Sequence, residues 1–173
     1  MHMSNSVSKK KPPMVAPLLK EGLFHFHDLE EAYALANFLA EACPNARLAI
    51  LGITEILVNA LEHGNLGITF EEKSALHLAD EWLEEINRRL NLPEHSGQWV
   101  SVHFQRTKSE ITLVVTDQGK GFDWRKYQTF DSENKLRQHG RGILVAKHFA
   151  FKALRYSEKG NEVTCVIDCE KVV

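Results

Sequence analysis

Glu55, Asn59 and His63 recur at intervals of four along one apolar stretch, RLAILGITEILVNALEHGN, from Arg47 to Asn65. With Glu62 they fall on one face of a helix that is otherwise apolar almost all round. A carboxylate there is costly unless something needs it. Phosphoryl chemistry needs an oxygen ligand for magnesium and a base near the nucleophile, and Asn59 and Glu55 supply both. A mutually satisfied structural Glu–Asn pair is the alternative. Asp117 ends an apolar strand directly before Gly119 and Gly121, in DQGKGFD. Its carboxylate can accept from an exocyclic amine, and the glycines let a flat ring approach the backbone. A lone G-x-G is more often only a turn, because glycine tolerates positive φ. Gly140-Arg141-Gly142 opens a further helix, whose free N–H groups suit phosphate.

The elements that must position these groups follow from pattern. Gly22 to His27 alternates as a strand, with Leu23 facing the core. Asp28 and Glu31 start a helix in the manner of a capping box. Its apolar face is Leu29, Ala32, Tyr33, Ala36 and Leu39. Asn45 caps the central helix. Gly64 suits the left-handed position after its end, and a His63 in the last turn is favoured by the dipole. Thr69 and Glu72 form a second capping box. Leu76, Ala79, Trp82, Leu83, Ile86 and Leu90 make one 3.6-residue stripe, and the opposite charged face is expected to be solvated. Trp99 to Gln105 and Ile111 to Thr116 pair as a hairpin, with Val100, Val102, Phe104, Ile111, Leu113 and Val115 inward. Trp124 to His139 is a long loop. A helix from Gly140 and a final hairpin across Glu158–Asn161 close the chain. The economical packing is an α+β fold, a mainly antiparallel mixed sheet with helices on one face.

The chain has 173 residues, 43% hydrophobic and 25% charged, which suits one soluble domain with a real core. Residues 1–20 are expected to be a flexible basic, Pro-rich tail. A formal charge of -2 gives no electrostatic argument for nucleic acid or an anionic membrane. No apolar run reaches the roughly 18 residues of a membrane span, and no signal peptide is visible. Cys43, Cys165 and Cys169 lack paired metal spacing and fit inert core thiols in a cytoplasmic protein.

Helix with E-x-x-x-N, strand ending D-x-G-x-G-F-D, long loop, G-x-G helix: in that order the boxes resemble the GHKL ATP-binding superfamily, and most closely its anti-sigma-factor serine/threonine kinases. EILVNALEHGN (Glu55 to Asn65) is similar to their N box. DQGKGFD (Asp117 to Asp123) and HGRGILVAKHF (His139 to Phe149) are similar to their two glycine boxes. The resemblance covers about residues 22 to 169. It implies a two-layer α/β sandwich of the Bergerat type over residues 21–173, binding ATP and Mg2+. Glu55 would be the general base and Asn59 the magnesium ligand. Asp117 would accept from the adenine amine, with Gly119, Gly121 and Phe122 around the ring. Gly140, Arg141 and Gly142 would close on the phosphates. His63 either lines the phosphate end or caps its helix.

The implied substrate is a serine or threonine of a STAS-type antagonist, with a sigma factor as the sequestered partner and a PP2C-type phosphatase in the pathway. A homodimer is compatible with the resemblance. A nucleotide-dependent binding module without phosphotransfer is the main alternative. A histidine-kinase catalytic fragment is third, since nothing resembles a phosphoacceptor dimerisation helix. The chain departs from compact members by an amphipathic helical insertion at about 67–97, which leaves the nucleotide boxes intact.

Overall fold

The computed structural model describes residues 16–127 and 150–170. The expected helix opened by Gly140, Arg141 and Gly142 lies outside the described residues, as does most of the long loop. Alternating Val100, Val102 and Phe104 in β2 (Val100–Arg106) and Ile111, Leu113 and Val115 in β3 (Glu110–Thr116) are all fully buried on one face. That face is continued by Val163, Cys165 and Ile167 of β5 (Glu162–Asp168). With β1 (Glu21–Phe26) and the short β4 (Ala153–Tyr156) these form a five-stranded sheet in the order β1-β2-β3-β5-β4. Every described pairing is antiparallel. The expected α+β fold with a mainly antiparallel sheet is thus observed.

Leu23 is the exception to the expected alternation. It is 65% exposed, and Phe26, at 1%, goes inward instead. Both faces of this edge strand carry apolar side chains. The larger Phe24 and Phe26 take the core side, with Phe24 edge-on to Phe38 at 5.9 Å. The packed chain also reaches back beyond Gly22. Ala16 is 1% exposed, and Arg106 Nη1 donates to the carbonyl of Pro17 at 3.3 Å and of Ala42 at 2.8 Å. The domain therefore includes part of the stretch expected to be tail.

Helices α1 (Leu29–Glu41) and α2 (Ala46–Asn59) cover the buried face of the sheet. Both begin at the expected caps. Asp28 accepts from the Glu31 N–H at 2.8 Å and Asn45 from the Leu48 N–H at 3.2 Å, each worth about 1 kcal/mol. Ala36 and Leu39 from α1 and Ile53 and Leu57 from α2 are buried to 2% or less. Cys165 and Cys43 are buried, the Cys43 thiol pushed up to about 12 by burial, as inert core thiols would be, whereas Cys169 is only half-buried.

The central helix does not stop at Gly64. After Asn59 it widens into a π-turn, Ala60–Asn65, in which the Leu66 N–H returns to Leu61 O at 2.9 Å. Gly64 is not left-handed; Gly67, with φ 63°, takes the positive angle instead. The insertion is two helices rather than one, α3 (Phe70–Ala79) and α4 (Trp82–Leu90). Thr69 and Glu72 form the complete capping box expected. The apolar stripe runs through the break, which is why it reads as continuous. Asp80 ends α3 at φ 60° and ψ 29°, a left-handed conformation strained for a side chain. Asp80→Gly is expected to stabilise the domain by about 0.5–1 kcal/mol, raising Tm by about 2–4 °C in thermal denaturation.

The charged face of the insertion is not simply solvated. Arg89 donates to Glu85 at 2.7 Å, to Glu72 at 2.8 Å and to the Leu66 carbonyl at 2.9 Å. Arg88, through two hydrogen bonds, and Arg89 hold the Glu85 carboxyl down to about 2. Arg89 thus ties α3 to α4 and both to the end of the π-turn.

Candidate functional site

α2 with its π-turn faces the carboxyl end of β3 across a cavity of about 1050 Å3. Asn59 and His63 line it from the helix side. Asp117, Gly119, Gly121 and Phe122 line it from the segment that follows β3. Six of the ten residues singled out in the sequence therefore share one cavity. Glu55 stands one turn behind Asn59 and does not itself line it. Its Oε1 accepts from Asn59 Nδ2 at 3.0 Å. Gly140, Arg141 and Gly142 lie outside the described residues.

The floor at Asp117 depends on two glycines from distant parts of the chain. A Cβ on Gly64 would lie 2.6 Å from Asp117 Oδ2, and one on Gly119 would lie 2.2 Å from the Gly64 carbonyl oxygen. The backbones of the π-turn and of the Asp117 segment touch only because both side chains are absent. Asn65 fastens the same contact: it is 5% exposed, and its Oδ1 accepts from the Gln118 N–H at 2.8 Å. On the other side, the Asn161 amide donates to the Asp117 carbonyl at 3.1 Å and the Asp117 N–H to the Asn161 carbonyl at 3.0 Å.

Asp117 Oδ1 accepts from the Gly119 N–H at 2.8 Å, which leaves Oδ2 for a ligand. Burial pushes the carboxyl up to about 6; the Gly119 N–H and the nearby Lys159 ammonium oppose that shift. Beside it, Phe122 meets Tyr156 edge-on at 5.3 Å, and Trp124 stacks on Tyr156 at 6.0 Å. Tyr156 also lines the cavity. Burial raises its phenol well above the ordinary value, and the negative charges of Glu55 and Asp117 add to the shift. Tyr156 therefore lies within electrostatic reach of both carboxylates.

His63 donates through Nδ1–H to the Ile68 carbonyl, and its ring lies 4.4 Å from that of Phe70. That bond assigns the proton to Nδ1 and leaves Nε2 without a partner among the described residues. Burial lowers the histidine's pKa, so the imidazole is neutral at pH 7. A neutral Nε2 accepts hydrogen bonds.

Several residues at this site carry no local signal in the sequence. Tyr156 sits in a four-residue strand. Phe70, Glu94, His95 and Gln98 bring the insertion to the cavity wall, although nothing in their spacing points there. Gly64 could have been found only by knowing that Asp117 would pack against it.

Among the described residues no helix is long and apolar enough to cross a membrane. The family model described as the histidine kinase-like ATPase domain matches residues 28–167. A comparison with curated proteins finds no match.

Proposed function

The chain belongs to the histidine kinase-like ATPase domain family, and from that premise we propose that it is an ATP-binding regulator that phosphorylates a serine or threonine. The substrate class is a STAS-type antagonist, and a sigma factor is the partner held until that antagonist competes. The setting is a cytoplasmic bacterial partner-switching pathway with a PP2C-type phosphatase. The observation that supports this reading is the Glu55–Asn59 hydrogen bond at 3.0 Å, at the edge of the cavity whose other wall carries Asp117.

Asp117 Oδ2 accepts from the adenine amine, over the floor left open by Gly64 and Gly119. Asn59 spends its Nδ2 on Glu55, so its Oδ1 is the atom left for a cation. Among the described residues no three His, Cys, Asp or Glu side chains converge as metal ligands. Magnesium suits such a site, because it takes few protein ligands and completes its shell with phosphate oxygens and water. When bound it would neutralise phosphate charge. Glu55 takes the proton of the partner's hydroxyl as that oxygen bonds to the γ-phosphorus and the bond to the ADP oxygen breaks.

A second reading keeps ATP binding and omits phosphotransfer: a nucleotide-dependent module that sequesters its regulator. Glu55 favours it in one respect, being already engaged by Asn59 and absent from the cavity lining. Labelled ATP and a STAS-type antagonist separate the two. Glu55→Ala should retain ATP affinity within about threefold and lose transfer by about 10²–10⁴-fold. No transfer from the wild type would refute the kinase. Nucleotide-dependent partner binding that survives Glu55→Ala would then establish the second reading.

A further inference from the structure

The inserted hairpin does more than extend the surface. Glu62, in the π-turn, is 0% exposed. Its Oε2 is 2.8 Å from Lys73 Nζ in the first turns of α3, and its Oε1 has no partner among the described residues. Next to it, His63 takes its Nδ1–H bond to Ile68 and its ring contact to Phe70 from the same inserted segment. Three contacts from one element thus fix one turn of the cavity wall. Lys73 is the one that carries charge.

We propose that Lys73 is a positioning residue of the nucleotide site: from the insertion it holds the buried Glu62 carboxylate in place behind His63, and so fixes the imidazole against the cavity. The inference rests on the nucleotide reading given above. Among the described residues, the charged groups facing His63 are Glu62, Glu55 and Lys73. The carboxylates raise its proton affinity; the ammonium lowers it, in the same direction as burial, which is the largest influence.

Without Lys73 a fully buried carboxylate has no cation among the described residues. Removing one partner of such a pair is far more disruptive than removing both. Relief of that charge by solvent makes the hold on His63 depend on pH in the variant.

The test is ATP affinity by calorimetry from about pH 5.5 to 8.5, with the ¹⁵N shifts of the His63 imidazole. Wild type, Lys73→Met, Lys73→Arg and the double variant Glu62→Gln/Lys73→Met are compared. The ratio of wild-type to Lys73→Met affinity should change about tenfold across that range, as one displaced ionisation requires. Lys73→Arg should restore the wild-type profile. The double variant should give a flat ratio, within about threefold of wild type. Wild-type His63 should keep its Nδ1–H tautomer and titrate below the ordinary histidine value.

A pH-independent loss in Lys73→Met would make Lys73 a simple brace and overturn the proposal. So would a double variant as weak as Lys73→Met, or a wild-type His63 that titrates at its ordinary value. If Lys73→Met does not fold, the arginine and double variants decide. If the wild type binds no adenine nucleotide, the nucleotide reading fails, while the His63 shifts still judge the role of Lys73.

Discussion

Asp117→Asn should yield a protein that is more stable and binds ATP ten- to a hundredfold more weakly. The two effects have one cause. Burial raises the Asp117 carboxyl from 3.8 to about 6. A carboxyl whose folded-state pKa is raised holds its proton more tightly folded than unfolded. Its charge therefore costs stability at neutral pH, and the cost disappears as pH falls from about 6 to about 4. About two units correspond to roughly 3 kcal/mol, which partial exposure reduces to about 1–2 kcal/mol. Asparagine removes that cost and keeps an oxygen for the Gly119 N–H.

The loss of ATP affinity reflects a charge-assisted hydrogen bond of about 1.5–3 kcal/mol. Thermal denaturation at pH 7.5 and 4.5 and calorimetric titration with ATP check both halves. The stability difference from wild type should close at the lower pH. Wild-type affinity should itself fall about tenfold for each unit below pH 6, as Asp117 protonates. If ATP binds the variant as tightly as the wild type, Asp117 does not read the adenine amine.

Gly119→Ala should damage both the fold and the site. The added carbon would lie 2.2 Å from the Gly64 carbonyl oxygen and 2.9 Å from Asp117 Oδ1. The first neighbour is backbone, held by the π-turn, and cannot rotate away. The π-turn and the Asp117 segment must separate. That should cost about 1–3 kcal/mol of stability and open the floor on which the ring rests. ATP affinity should fall by more than about a hundredfold, which is about 2.7 kcal/mol. Gly97→Ala is the matched control: a Cβ there meets nothing within 4 Å, and stability should change by less than about 0.5 kcal/mol. Denaturant melts and ATP titrations of the two variants, side by side, decide. Equal behaviour would mean that the close approach is not needed.

What could be read from the chain was what is local. Asp28, Asn45 and Thr69 cap because a side chain reaches an N–H three residues away. Val102, Phe104, Leu113 and Val115 alternate because a half-buried sheet demands it. The boxes also brought together side chains that share one cavity, Asn59 and His63 with Asp117 and Gly119.

What could not be read depends on partners far along the chain. Leu23 points outward because the phenylalanines beside it fill the core better. Gly64 looks like a helix stop, and its neighbour across the cavity, Asp117, gives no hint of the contact. Asp80 breaks the insertion without interrupting its apolar spacing. Arg89 looks like surface charge until the Leu66 carbonyl is seen at its end. Lys73 and Glu62 meet only through tertiary packing.

The π-turn also constrains how this stretch can vary. Its wide loop holds one residue more than an ordinary helical turn, so everything after it is rotated by about a quarter of a circle. Deleting a single residue between Asn59 and Gly64 would restore a regular helix of almost the same reach. It would also shift Glu62 relative to Lys73. Point replacements there alter one contact at a time, whereas a shortened chain would put every later side chain out of phase at once.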